Sequence, residues 1–188
     1  MVVPLLGLVL AACSSDTTVS LRAPSCSSAD KEASNAVLLM AQSVPTSSWV
    51  PCLRTDVPSG WEFAGLEARN GGSRLSLNSN RDGTGAIEVR LVPSCDTHGA
   101  TEIPSDREGM RRLERVREVS PHYVGTRYYV FDGGCLTFHF QLGGDSHGEA
   151  LALASELVGA VPRSDLRAQV REDSDGRLSL DPAEEGAG

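Results

Sequence analysis

The chain has 188 residues, of which 40% are hydrophobic and 22% charged, and its formal net charge is −8. That is ordinary globular composition at a length sufficient for one domain with its own core, which sets aside a fibrous or wholly disordered chain. The acidic balance argues against nucleic acid as a partner, because a phosphate backbone calls for a basic face, and no apolar run reaches the ~20 residues of a membrane span.

The chain opens with an apolar run, Val2 to Leu10, followed by Ala11, Ala12 and Cys13. A short apolar stretch ending in small residues is the pattern of a cleavable signal peptide. Leu10-Ala11-Ala12-Cys13 resembles the lipobox of bacterial lipoproteins, and the resemblance covers residues 1–13 only. It implies a signal peptide of residues 1–12, export, a cut before Cys13 and lipid on the Cys13 sulfur. Such a protein would sit lipid-anchored on the outer face of the cytoplasmic membrane or in the cell envelope. This implies an address and says nothing of activity.

Five cysteines make an odd count, which calls for one with a separate role. With Cys13 taken for lipid, Cys26, Cys52, Cys95 and Cys135 read as two disulfides in an exported chain. Of the three connectivities, Cys26–Cys52 and Cys95–Cys135 are favoured, because each closes a local loop between elements expected to be neighbours. A zinc site would compete for the same thiols, but no two cysteines stand at C-x2–4-C spacing.

Residues 14–25 are polar, contain Pro24 and have no periodicity, so residues 13–25 read as lipid anchor and tether. As flexible coil they would hold a domain roughly 20 Å from the anchor. A helix is expected from about Ala29 to Gln42, capped by Ser27 or Ser28, with Asp30 and Glu32 in its first turn. Ala33, Ala36, Val37, Met40 and Ala41 fall on one face of it. Residues 44–60 hold Pro45, Pro51 and Pro58 and read as an irregular connection. Trp49 within it is either a ligand-facing aromatic or a pin onto the core.

A meander should follow: Trp61–Arg69, Arg74–Asn78 and Ala86–Val92, with Asn70-Gly71-Gly72 and Arg81-Asp82-Gly83 as turns. Leu75 and Leu77, then Ile87, Val89 and Leu91, alternate with polar residues, so one sheet face is buried and the other wet. Pro93 to Pro104 reads as a second loop, holding Cys95 and His98. Ser105-Asp106-Arg107-Glu108 matches a capping box, and Met110, Leu113 and Val116 continue at spacing three, compatible with a short helix or a strand. Tyr123–Phe131 and Cys135–Leu142 form a hairpin around Asp132-Gly133-Gly134, a register that sets Phe131 opposite Cys135 and places Tyr128 and Val130 with Leu136, Phe138 and Phe140. A last helix is expected from about His147 to Ala160, stopped by Val161-Pro162. Residues 172–188 hold six acidic residues and one arginine and read as a disordered acidic tail. The sum is a single α+β domain over residues 26–171: an antiparallel sheet of about five strands with two main helices packed on one face.

Several constellations bear on function. Gly144-Asp145-Ser146-His147-Gly148 fits G-x-S-x-G between a strand and a helix, which locally resembles the nucleophile elbow of α/β-hydrolases and would make Ser146 a nucleophile. Against that reading, no histidine follows His147, the preceding strand belongs to a tight antiparallel hairpin, and Ser146-His147-Gly148-Glu149 is equally a capping box. His98, His122, His139 and His147, with Asp132 or Asp145, are candidate metal ligands by residue type, but none has ligand spacing. Asn78 to Gly83 hints at a calcium loop that lacks the acidic first position and the terminal glutamate, so a hairpin turn is expected. Arg107, Arg111, Arg112, Arg115 and Arg117 are nearly neutralised by Asp106, Glu108, Glu114 and Glu118 and read as an ion-paired surface. Tyr123, Tyr128 and Tyr129 offer a stacking platform for a sugar, if not core. The expectation is a lipid-anchored extracytoplasmic domain with a non-enzymatic binding or scaffolding role. It needs no cofactor or metal, and its partners are the membrane, through Cys13, and an envelope ligand or protein. A small serine hydrolase using Ser146, and an envelope sugar or peptide binder using Trp49, Tyr128 and Tyr129, are the alternatives.

Overall fold

The computed structural model of the chain describes residues 22–26 and 34–181. Cys13 and its lipobox, the proposed caps Ser27 and Ser28 with Asp30 and Glu32, and residues 182–188 lie outside that set. In chain order the elements are α1 (Asn35–Ser43), β1 (Trp49–Leu53), β2 (Trp61–Arg69), β3 (Gly72–Ser79), β4 (Gly83–Val92), β5 (Thr101–Ile103), β6 (Arg111–Glu118), β7 (Tyr123–Phe131), β8 (Gly134–Leu142), α2 (His147–Leu157), β9 (Val158–Pro162) and α3 (Arg163–Asp173). Seven strands form one antiparallel sheet in the order β2-β3-β4-β8-β7-β6-β5, while β1 and β9 make a separate two-stranded ribbon. The protein is mostly β, and the expected α+β arrangement of about five strands under two main helices is overturned.

Three segments account for the difference. The proline-rich stretch 44–60 contains β1, whose Pro51 pairs with Ala160 of β9. Residues 24–26 bond the outer side of β1 only at Leu53, so at Pro51 a residue without an N–H is tolerated. Val158–Pro162, expected as the end of a helix and its stop, is the partner strand, and α3 follows it directly. The segment after Pro104 resolves to strand: the Ser105 hydroxyl receives the Arg107 N–H at 3.2 Å and closes a turn in place of a helix cap, Gly109 takes φ +71°, and β6 then pairs along β7.

The β7–β8 hairpin forms with a two-residue turn, Asp132-Gly133, one residue shorter than expected. Val130 therefore stands opposite Cys135, and Phe131 opposite Gly134. A one-residue slip moves every side chain to the other face: Tyr129 and Phe131 join Leu136, Phe138 and Phe140 in the main core, and Tyr128 and Val130 go to the opposite side. The turn is set by contact as well as by conformation. Gly133 has φ +67°, and a β-carbon there would lie 1.8 Å from the Thr46 carbonyl oxygen. Thr46 Oγ1 donates to Gly133 O and Ser48 Oγ to Asp132 O, each at 2.8 Å.

Alternation puts Leu75 and Leu77, Ile87, Val89 and Leu91, and Leu136, Phe138 and Phe140 on one sheet face, against Val37 and Met40 of α1, Val50 of β1, and Ala154 and Leu157 of α2. Each such side chain contributes roughly 1.5–3 kcal/mol on full burial. Arg163 closes this layer from within. It is buried, and its guanidinium donates to the carbonyls of Ala41, Val44, Ser47 and Asp181, satisfying the acceptors left over at the end of α1. Leu180 is 2% exposed in the same core, so the expected disordered tail is corrected: residues 172–181 finish α3 and return to the domain.

Both expected disulfides are present, Cys26–Cys52 and Cys95–Cys135. The first fastens residues 22–26 to β1, beside which Cys26 N donates to Leu53 O at 2.8 Å. The second draws the loop after β4 over the opposite face of the sheet, where Cys95, Val92 and Ala100 cover Leu113, Tyr128 and Cys135. Two structural disulfides are features of chains that fold in an oxidising compartment.

Candidate functional site

Ser146 stands at the N-cap of α2, with φ −115° and ψ 54° and no side-chain capping bond. Its carbonyl, and not its hydroxyl, receives the Glu149 N–H at 3.0 Å, while the Glu149 carboxylate turns to Arg81 at 3.0 Å. Neither half of the expected capping box forms. The strand before it, β8, runs antiparallel to both neighbours, β4 and β7, whereas a nucleophile elbow is built on a parallel sheet. The adjacent His147 ring packs 6.1 Å from that of Tyr123.

The three aromatic candidates do not share a surface. Tyr129 is fully buried in the main core and Tyr128 is 3% exposed under the disulfide-held loop, on opposite faces of the sheet. Their assignment as ligand-facing rings is therefore corrected. Trp49 is half-buried against the main core and packs on Gly109, so it pins β1 to the 104–110 loop. The histidines are dispersed, and among the described residues no three His, Cys, Asp or Glu side chains gather as a metal site. In the stretch compared with a calcium loop, Asn78 Oδ1 accepts the Gly85 N–H at 2.9 Å, Ser79 Oγ donates to Asp82, and Asp82 Oδ1 accepts Gly144 N–H. These oxygens hold a hairpin turn.

What the fold does bring together is a set of arginines on the core-facing side of the sheet, where the helices stop covering it. Glu114 of β6 accepts from Arg112 and from Arg127 of β7, both at 2.6 Å. Arg127, 5% exposed, also donates to Ser155 Oγ of α2 at 2.6 Å. Asp106 accepts from the Tyr129 hydroxyl at 2.8 Å and from Arg112 at 3.4 Å. Burial pushes the Asp106 carboxyl up, but the Tyr129 hydroxyl, its own backbone amide and the two nearby arginines hold it below the usual carboxylate range. Arg107 lies with its guanidinium carbon 4.5 Å from the centre of the Tyr129 ring and 5.5 Å from that of Phe138. Burial draws the Arg107 guanidinium below its ordinary value, only partly offset by Tyr129 and Asp106.

Sequence reasoning placed the 106–118 charges in one neutralised surface. The structure divides them: Arg111 pairs with Glu102, Arg115 donates to Tyr128 Oη and His98 O, and Arg107 goes inward without a carboxylate. Arg127, Arg163 and Ser155 were not singled out. The available signal was an arginine inside the otherwise apolar and aromatic run 123–131, where a charge must find a buried partner.

The opposite, open face of the sheet is polar. Arg74 bridges Glu67 at 2.7 Å and Glu88 at 3.0 Å, and Arg90 joins the same Glu88. Beside them lies a shallow depression of about 320 Å³ between Arg69, Arg74, Arg90 and Val92. Next to Glu88, His139 shares a hydrogen bond with Thr126, and burial followed by Arg90 lowers its pKa. This face is an ion-paired surface. Comparison with family models, with curated proteins and with solved structures found no match to this chain.

Proposed function

We propose that the chain is a lipid-anchored extracytoplasmic domain with a binding or scaffolding role at the cell envelope. The observation that carries this reading is the cysteine account. Four of the five cysteines are joined as Cys26–Cys52 and Cys95–Cys135, so Cys13, which ends the lipobox-like sequence, is the one left with a separate role. The first disulfide supports the same reading mechanically, because it ties the segment that follows the tether to β1, so that pull on the anchor reaches the ribbon through a covalent bond. The polar sheet face around Arg74, Glu88 and Arg90 is the surface we assign to partner contact. Its charges are already paired, which favours specific polar docking over bulk attraction.

The test is fractionation of a bacterial host expressing the full chain or its Cys13→Ala variant. The reading predicts the parent chain in the membrane fraction, with an acylated N-terminal cysteine, and the variant released. A variant that remains membrane-bound, or a parent chain with an unmodified Cys13, contradicts it.

A further inference from the structure

The two edges of the seven-stranded sheet are finished differently. β5 is three residues long and runs into Pro104, and so short an edge offers little ladder to a further strand. β2 is nine residues long, contains neither proline nor lysine, and none of its residues is buried. Within the sheet it pairs with β3 alone. The turn Asn70-Gly71 sets Arg69 opposite Gly72, and a two-residue hairpin closes on a hydrogen-bonded pair. Alternation from that pair turns the N–H and C=O groups of Ala68, of Leu66 and, past the bulge between Phe63 and Gly65, of Phe63 to the outside. Among the described residues these outward groups take no backbone partner.

We propose that this edge pairs with itself: two copies of the chain dimerise through antiparallel β2 strands about a twofold axis at Leu66. Phe63 and Leu66 are half-buried at the rim of the main core, whereas Glu62, Gly65, Glu67 and Arg69 line the open face opposite Asn78, Ser76, Arg74 and Gly72. In this register Leu66 meets its own copy and Phe63 meets Ala68 of the second copy. All three are outward-facing positions, so the pairs exchange about six backbone hydrogen bonds and set apolar side chains together. On the open face Glu62 stands opposite Arg69 of the second copy, twice by symmetry, and Gly65 with the bulged Ala64 stands opposite Glu67. Glu62 has no ion-pair partner among the described residues, and Arg69 reaches only Glu67, at 4.0 Å with its side chain 85% exposed. Charge also fixes the register. A slide of one pleat in one direction sets Glu62 opposite Glu67, and in the other sets Glu67 opposite its own copy; like charges directly opposed are destabilising. A contact of one strand is small and gives a weak dimer.

The experiment is sedimentation equilibrium of the full chain carrying Cys13→Ala, over concentrations from about 1 µM to about 500 µM, where a monomer–dimer equilibrium with a dissociation constant of about 10–100 µM is expected. Ala68→Pro removes an outward N–H at an exposed position and takes no bond from the β3 ladder; it should weaken the dimer about tenfold or more. Glu62→Arg opposes two arginines and should weaken it several-fold, and adding Arg69→Glu exchanges the charges and should restore it. Glu62 and Arg69 are both exposed, so these changes leave the monomer folded. A chain that is monomeric at every concentration overturns the proposal. An association that Ala68→Pro leaves unchanged runs through another surface and overturns it too, as does a charge exchange that fails to restore the dimer. Lipid on Cys13 plays no part in the measurement, so its outcome is independent of the anchored reading.

Discussion

Arg163 is the side chain on which most of the helical layer depends. One guanidinium collects four carbonyls from α1, the loop after it and the C-terminal segment, while its own N–H donates to Ser48 O at 2.8 Å. Arg163→Ala leaves those acceptors buried and unpaired, and we expect a loss of about 3–5 kcal/mol in urea unfolding, with Arg163→Lys recovering only part of it. Gly133 is constrained from outside: a methyl group there meets the Thr46 carbonyl as well as an unfavourable φ. Gly133→Ala should cost about 3 kcal/mol or more by the same measurement, whereas a Gly148→Ala change, with open space around it, should cost nothing or stabilise the helix. Glu114 sets the acid limit. Burial pushes its carboxyl up, yet Arg112 and Arg127 hold it below the usual glutamate range. A lowered folded-state pKa means the unfolded chain takes the proton first as pH falls, so this stabilisation is full above the ordinary glutamate range and is lost below about pH 4. Glu114→Gln should be about 2 kcal/mol less stable at pH 7 and show a flatter stability profile from about pH 5 to pH 3.

Among the elements, those with a clear period were legible in the sequence. The meander and its turns follow from Leu75, Leu77, Ile87, Val89 and Leu91, and the aromatic hairpin from its density of β-formers. The register of that hairpin was not legible, because Asp132-Gly133-Gly134 permits a two- or a three-residue turn. The decision is made by Thr46 and Ser48, far away in sequence. β1 was hidden by its prolines, which rule out a central strand but not one side of a ribbon. β6 was hidden by its arginines: where the sheet passes beyond its helical cover, the core-facing side carries Arg112 and Glu114 instead of apolar residues, and the strand loses its alternation. The pairing of the cysteines was legible from loop length. The Cys95–Cys135 bond closes the loop over Tyr128 and Leu113, and replacing both cysteines by alanine should cost about 3–4 kcal/mol and increase hydrogen exchange in residues 93–100 more than in β3 and β4.

For the whole molecule, the candidate site was less legible than the fold. Sequence patterns pointed to Ser146, to tyrosines and to histidines, which the fold uses as a cap position, as packed rings and as dispersed, separate groups. The residues that converge, Arg107, Arg112, Arg127 and Glu114, come from three separate stretches, the 104–110 loop, β6 and β7, and carry no common spacing. Their proximity is a product of topology: β9 returns along β1 and brings the end of α2 against the loop before β6. What remains shared between sequence and structure is the division of the cysteines, two pairs inside the domain and Cys13 before it. The most direct measurement is the intact mass of the protein recovered from bacterial membranes, before and after reduction. The account predicts a chain beginning at an acylated Cys13, gaining the mass of four hydrogens on reduction as the two disulfides open. A chain that retains residues 1–12, or one in which Cys13 is unmodified or bonded to another cysteine, contradicts it.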